Sequence, residues 1–347
     1  MPQAATPIRL HSRPCVTTLR PLVVFIALLL ATRALAAPYT SPAPTHEVSS
    51  LLTTLHDPAR NRDIPLLIVY PKDLSTSGRG AQKFPIILFS HGLGGSRETY
   101  RTYGDQWAAH GYIVLFPQHI GSDTSIIGPQ MFQMLAGKGT LQPFLDRVAD
   151  IHFLIDQLEQ INAGKLPSAD FSPFPNHFDL SKIGMSGHSF GAITTQAIVG
   201  QHYGPAAEKF HLADPRIKAG IAMSGSGSKE LDQDTAFGSI KIPMFYLTGT
   251  EDKLGMIGGG SRRTPFDHST LADTFLLNLT GANHMTFAPL GRAAGNPSRE
   301  KFQPLILQLT TAFWDAYLKA DPAAKQWFNT EAEKEIAPLG KFESKHK

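Results

Sequence analysis

The 347-residue chain has a single cysteine, Cys15, and nothing after it carries a thiol. Disulfides, thiolate metal ligands and a cysteine nucleophile are thereby excluded from the rest of the chain, whose stability must come from packing. Long hydrophobic runs are missing too: the stretch Leu22 to Ala31 falls short of the ~20 residues that a membrane-spanning helix needs. The 14 histidines show no H-E-x-x-H or comparable ligand spacing, so no metal and no cofactor are expected. Acidic residues are absent from residues 1–36, which hold four arginines. Without that segment the formal charge of +3 becomes 3 − 4 = −1. A chain so close to neutrality has no electrostatic reason to bind nucleic acid.

What is present begins with Arg9, Arg13 and Arg20, then the apolar run, then Ala34-Leu35-Ala36-Ala37. This is the layout of a secretory signal cleaved near Ala36 or Ala37, with an uncleaved anchor as the rival reading. The expected organisation is a signal peptide over 1–36 and one domain over 37–347, secreted or periplasmic, with no stable membrane span after cleavage. A hydrophobic share of 42% with 26 Pro and 30 Gly describes an ordinary, loop-rich globular core.

Strands and helices alternate along that core. Ile64 to Tyr70 reads as a strand, Ser75 to Ala81 as a polar turn, and Pro85 to Ser90 as a strand buried on both faces that runs into His91-Gly92-Leu93-Gly94-Gly95. Ser96 is a candidate N-cap for a helix through Trp107 to Ala109, with Gly111 just past its end and another strand over Tyr112 to Phe116. Phe144 to Leu158 has helical spacing, with Leu145, Val148, Ile151, Leu154, Ile155 and Leu158 apolar. A Pro-rich loop from Pro167 to Pro175 leads to a short strand at Ile183 to Met185. Ile217 to Met223, Ile242 to Leu247 and Phe275 to Leu279 read as later strands, and Ala312 to Leu318 lies in a closing amphipathic helix. The pattern predicts an α/β fold: a mostly parallel sheet with helices on both faces and its active site at the carboxyl ends of the strands.

Gly187-His188-Ser189-Phe190-Gly191 is a G-x-S-x-G placed between a short strand and the helical stretch Ala192 to Val199. A serine hydroxyl becomes a nucleophile only when exposed, aimed and hydrogen-bonded to a base; a sharp strand-to-helix turn supplies the first two. A plain Gly-rich turn would match the same letters. Two partners in the right chain order argue against that: Asp252 follows the strand Ile242 to Leu247, and His284 follows the strand Phe275 to Leu279. His284 can take the serine proton and return it to the leaving group, while Asp252 fixes the imidazole tautomer and stabilises its charged form. Glu251, Asp232 and Asp234 stand as alternative acids. The oxyanion of the tetrahedral intermediate needs two backbone N–H donors, for which Phe190 and Leu93 are the candidates. His91 to Gly95 lacks the Lys-Ser/Thr ending of a phosphate loop and the glycine spacing of a dinucleotide fingerprint.

Ser90-His91-Gly92-Leu93-Gly94-Gly95 with Gly187-His188-Ser189-Phe190-Gly191 resembles the platelet-activating-factor acetylhydrolase and dienelactone-hydrolase-like branch of the α/β hydrolases. Secreted polyester hydrolases of the cutinase type are similar in layout. The resemblance covers most of the chain after the leader and implies an α/β-hydrolase fold and ester hydrolysis. The chain departs from both named relatives: dienelactone hydrolases carry a Cys nucleophile, and the acetylhydrolases place their acid after an earlier strand, where this chain has Ala222-Met223-Ser224-Gly225-Ser226.

The function expected is a serine carboxylic ester hydrolase acting through an acyl-enzyme on a small-molecule or polymeric ester, its activity rising as His284 loses its proton. Amide hydrolysis or acyl transfer with the same residues is the alternative, and a non-catalytic binding protein that kept the fold is another. Segments 120–141 and 254–268 follow strands at the catalytic edge and read as loop insertions, either walls of the site or surface loops. Arg262 and Arg263 read as an exposed pair that could steer an anionic substrate, and Met131, Phe132, Met134 and Phe144 as candidates for an acyl pocket. Oligomeric state leaves no mark on the sequence.

Overall fold

The computed structural model describes residues 43–74, 81–136, 138–166, 168–228, 230–253, 261–288 and 297–347. The expected signal segment (1–36), most of the expected polar turn at 75–81 and residues 254–260 of the second expected insertion lie outside the described residues.

Nine strands form one sheet: β1 (Val48–Asp57), β2 (Arg62–Pro71), β3 (Phe84–Ser90), β4 (Ile113–Pro117), β5 (Phe178–His188), β6 (Ile217–Met223), β7 (Met244–Glu251), β8 (Thr274–Asn283) and β9 (Gly340–Lys345). Their spatial order is β1-β2-β4-β3-β5-β6-β7-β8-β9. The six strands from β4 to β8 run parallel, while β1, β2 and β9 add antiparallel edges. This is the predicted α/β-hydrolase fold. Between the strands lie α1 (Arg101–Ala109), α2 (Pro129–Leu135), α3 (Gln142–Asn162), α4 (Phe190–Ile198), α5 (Gln233–Gly238) and α6 (Thr264–His268); α7 (Pro297–Tyr317), α8 (Pro322–Thr330) and α9 (Ala332–Ile336) follow β8.

The two-residue period of a strand divides the core between the two faces of the sheet. Ile87 and Phe89 of β3, with Val114 and Phe116 of β4, pack into a cluster with Trp107 of α1 and Phe313 and Trp314 of α7. Ile86, Leu88, Ile113 and Leu115 point the other way, toward Ile151, Leu154 and Leu158 of α3 and Ala197 and Ile198 of α4. Both faces are covered, which is why the central strands read as unbroken apolar runs.

Several boundaries differ from expectation. Helix α1 begins at Arg101, five residues after Ser96. Ser96 instead builds a local turn, its amide donating to Thr99 Oγ1 (2.9 Å) and its own Oγ accepting from the Glu98 amide (3.3 Å). Gly111 does close the helix, at φ +83°. Strand β7 starts at Met244 rather than Ile242 and runs to Glu251, so that Asp252 follows it directly. The 120–141 insertion contains a 3-10 turn (Thr124–Ile126) and α2. The edge strands β1 and β9 have no counterpart in the sequence reading. No described helix is long and apolar enough to cross a membrane.

Candidate active site

The parallel strands deliver their chemistry at their carboxyl ends. Ser189 sits between the last residue of β5 and the first of α4, at φ 56° and ψ −115°, a backbone state that an L-residue holds only under constraint. The constraint is visible on both sides of it. A Cβ on Gly191 would lie 1.9 Å from Ser90 O, and one on Gly187 would lie 2.3 Å from Gly191 O. Only glycine lets the turn close this tightly.

His284 stands directly after β8 and joins the other two residues. Its Nε2 lies 2.9 Å from Ser189 Oγ and its Nδ1 2.9 Å from Asp252 Oδ1. With Nδ1 donating to the carboxylate, Nε2 is left to accept the serine hydroxyl. The second Asp252 oxygen accepts from Thr248 Oγ1 at 3.1 Å. Burial on its own would raise the Asp252 carboxyl, but the hydrogen bond from His284 and the charge of Arg262 hold it below the ordinary value. The alternative acids lie elsewhere: Glu251 is exposed and pairs with Lys253, Asp232 caps α5, and Asp234 pairs with His268.

Arg262 is the largest departure from expectation at this site. Rather than facing solvent, it is buried, with Nη1 donating to Ser224 O (2.6 Å), Nε 3.4 Å from Asp252 Oδ1 and Nη2 3.4 Å from His284 Nδ1. The guanidinium thus links the end of β6 to the acid that follows β7. Burial lowers its pKa, offset in part by Asp252. Its neighbour Arg263 does face outward, pairing with Glu343 and Asp267.

Opposite the acid, a second buried network supports the turn after β3. Arg147 of α3 is fully buried; its Nη1 donates to His91 O (2.6 Å) and Ser90 Oγ (3.1 Å), and its Nε to Ser122 Oγ (2.8 Å). Its guanidinium lies 4.4 Å from the centre of the Phe190 ring, a cation–π contact with the residue after the nucleophile. From Ser90 the chain of donors continues through His119 to Asp150, which also receives Arg60 and Arg62. His91 donates through Nδ1 to Gly92 O and accepts the His119 amide at Nε2, so it is neutral, and burial holds its pKa well below the usual value.

Within this turn the amides of Gly94 and Gly95 bond to Ser122 O and Gly92 O. Leu93 lies between Gly92, whose carbonyl accepts in this turn, and the anchored Gly94. Phe190 is the first residue of α4, where an amide has no acceptor within its own helix. His188, the residue before the nucleophile, donates through Nε2 to His284 O (3.0 Å) and accepts Tyr100 OH (2.7 Å), tying the base to the nucleophile turn.

Leu93 and Phe190 also line an apolar pocket of about 250 Å³, with Met134, Phe144, Ile193 and Tyr203. Of the residues expected to line an acyl pocket, Met134 and Phe144 line this apolar one. Phe132 is 79% exposed, on the outward side of α2, and the Met131 sulfur sits beside Gly94. Among the described residues no three His, Cys, Asp or Glu side chains converge as a metal site would require.

The sequence reading missed Arg147, Asp150, His119, His188 and Tyr100. One signal was available for two of them: Arg147 and Asp150 fall on the apolar stripe with Ile151, Leu154 and Leu158, where a charged residue implies a buried partner.

Comparison with known proteins finds similarity to one group of ester hydrolases. A family model described as "Platelet-activating factor acetylhydrolase, isoform II" matches residues 70–138, the stretch from β2 through the turn after β3 to α2. The platelet-activating factor acetylhydrolase of Cavia porcellus is 26% identical over 281 residues, covering 71% of this chain and 60% of the relative. That of Canis lupus familiaris is 25% identical over 205 residues, 52% of this chain and 43% of the relative. The chain resembles the acetylhydrolase branch of the α/β hydrolases. It spans about half the length of the curated relatives it matches.

Proposed function

We propose that the protein is a serine carboxylic ester hydrolase that works through an acyl-enzyme, with Ser189 as nucleophile, His284 as base and then acid, and Asp252 as the orienting carboxylate. The observation that carries the reading is His284, bridging Ser189 Oγ and the buried Asp252 carboxylate at 2.9 Å on each side. Relatives named as acetylhydrolases support ester chemistry over other uses of the fold.

The steps follow from the hydrogen-bond directions. Ser189 Oγ attacks the acyl carbon as its proton passes to His284 Nε2, and the imidazolium is stabilised by the Asp252 carboxylate. The carbonyl oxygen becomes an oxyanion and accepts from the Leu93 and Phe190 amides. Collapse of the intermediate expels the alkoxide, to which His284 returns the proton. Water, deprotonated by the same nitrogen, then attacks the acyl carbon; the bond to Ser189 Oγ breaks, His284 returns the proton to that oxygen and the acid leaves.

Hydrolysis of p-nitrophenyl acetate, with Ser189→Ala as the blank, tests this. Loss of at least ~10⁴-fold in kcat is the outcome the mechanism requires. Unchanged turnover in the variant, or no turnover and no labelling of folded wild-type protein by a serine-directed phosphonate, would end the reading.

Export is part of the proposal and rests on the leader pattern of residues 1–36. N-terminal sequencing of protein recovered outside the cytoplasm should begin near Ala37.

A further inference from the structure

The apolar pocket beside the nucleophile admits a choice between two parts of an ester, the acyl chain and the alcohol. The reaction geometry resolves it. The leaving oxygen must come within reach of His284 Nε2, because that nitrogen returns the proton. Among the described residues none of the pocket's lining comes from the side of the site that carries the base: it is built from Leu93 in the turn after β3, Met134, residues 139–141 and Phe144, α4 and Tyr203. Leu93 and Phe190, whose amides would hold the carbonyl oxygen, both line it. A substituent extending from the acyl carbon away from His284 therefore enters this space, while the alcohol leaves by the other side.

Size and lining decide the chain. A volume of about 250 Å³ is far more than a methyl group occupies, and the walls are hydrocarbon almost throughout. Phe144 and Tyr203 close one wall with their rings 5.5 Å apart. The Tyr203 hydroxyl is committed to Gln201 Oε1 (3.0 Å), so its ring meets the pocket as an apolar surface. Leu141, 57% exposed, stands at the rim.

We infer that this pocket is the acyl-chain site, and that the protein prefers unbranched acyl groups between butyryl and octanoyl over acetyl, with Phe144 and Tyr203 setting the upper length. The inference rests on the esterase reading above and adds the substrate class. Each methylene that enters an apolar pocket contributes about fourfold in kcat/KM until the space is full.

Two ester series on wild-type protein test the assignment without any variant. In p-nitrophenyl esters of rising acyl length, kcat/KM should climb by at least tenfold from acetyl to its maximum and then fall. In acetate esters of rising alcohol length it should change by less than threefold. A maximum at acetyl, or a rise along the alcohol series instead, overturns the inference while leaving the esterase intact. Ile193→Trp fills the pocket from α4 and should lower the hexanoyl-to-acetyl ratio at least tenfold; Phe144→Ala should raise the decanoyl-to-hexanoyl ratio. These ratios are internal to each variant and are unaffected by how much of it folds. Unmoved ratios in active variants also overturn the assignment. Should no ester be turned over, the esterase reading falls separately. Calorimetric titration of wild-type and Ile193→Trp protein with octanoate then decides the pocket: binding lost in the variant upholds it, and no binding to wild type overturns it.

Discussion

Two buried arginines flank the nucleophile, and they serve opposite partners. Arg147, on the side of the turn after β3, meets mostly neutral oxygens: the carbonyl of His91 and the hydroxyls of Ser90 and Ser122. Arg262, on the acid side, faces the Asp252 carboxylate and lies beside the ring that must become charged during turnover. The first acts as a pin for backbone geometry and the second as a fixed charge in the reaction's own electrostatics. Removing the same chemical group from the two places should therefore damage different quantities.

Arg147→Met should show the larger loss. It strips donors from several buried acceptors, each worth about 1–3 kcal/mol when left unsatisfied. Relief of the buried charge offsets part of this. Urea unfolding should report a loss of about 3 kcal/mol, and kcat should fall on the order of 10²-fold as the Leu93 amide loses its support. A variant of wild-type stability and activity would break the contrast from this side.

Acid should act on both sides, through His119 and His91 on the Arg147 side and through the equally buried His188 on the other. His119 has its pKa lowered to about 4, chiefly by burial, and burial holds His91 well below the usual value as well. A histidine whose pKa is depressed on folding adds stability above its unfolded value, near 6.5, and loses it as pH falls from there toward the folded value. Between pH 7 and pH 5, His119 alone should account for about 2 kcal/mol of lost stability. His119→Gln should flatten the urea midpoint against pH over that window, and an equally steep dependence would remove His119 as its source.

Arg262→Met should move a pH profile more than a stability. Taking a cation from beside the ring that must become charged favours the charged form, so the acidic limb of kcat/KM should move to higher pH. Arg262→Lys should restore most of the shift. A lower rate with an unmoved limb would make the residue a packing element only. The adjacent Arg263 sharpens the point. Its pairs with Glu343 and Asp267 are partly exposed, so Arg263→Ala should cost less than about 1 kcal/mol and leave the limb in place.

The same division separates what was legible in the chain from what was not. Strand β3 and the turn around Ser189 were readable because their constraints are local: a buried strand shows as an apolar run, and a nucleophile turn that tolerates no Cβ shows as glycine. Strands β1 and β9 were not. β1 is half-exposed with a weak alternation, and β9, Gly-Lys-Phe-Glu-Ser-Lys, carries the charges that protect a sheet edge. The Ser96 cap failed because a serine bonding within its own turn looks the same in sequence as one capping a helix. Arg262 and Arg263 are identical letters side by side, and nothing local distinguishes the buried one.

By itself the sequence determined the alternation of elements, the parallel sheet, and the chain order Ser189, Asp252, His284, because periodicity and motif spacing are written along the backbone. Only the tertiary structure decided which acid reaches His284, that Arg262 turns inward, that Arg147 stands behind the turn after β3, and where the acyl-sized pocket opens. Those contacts join residues far apart in the chain, and their energies depend on burial and direction, which no stretch of sequence carries.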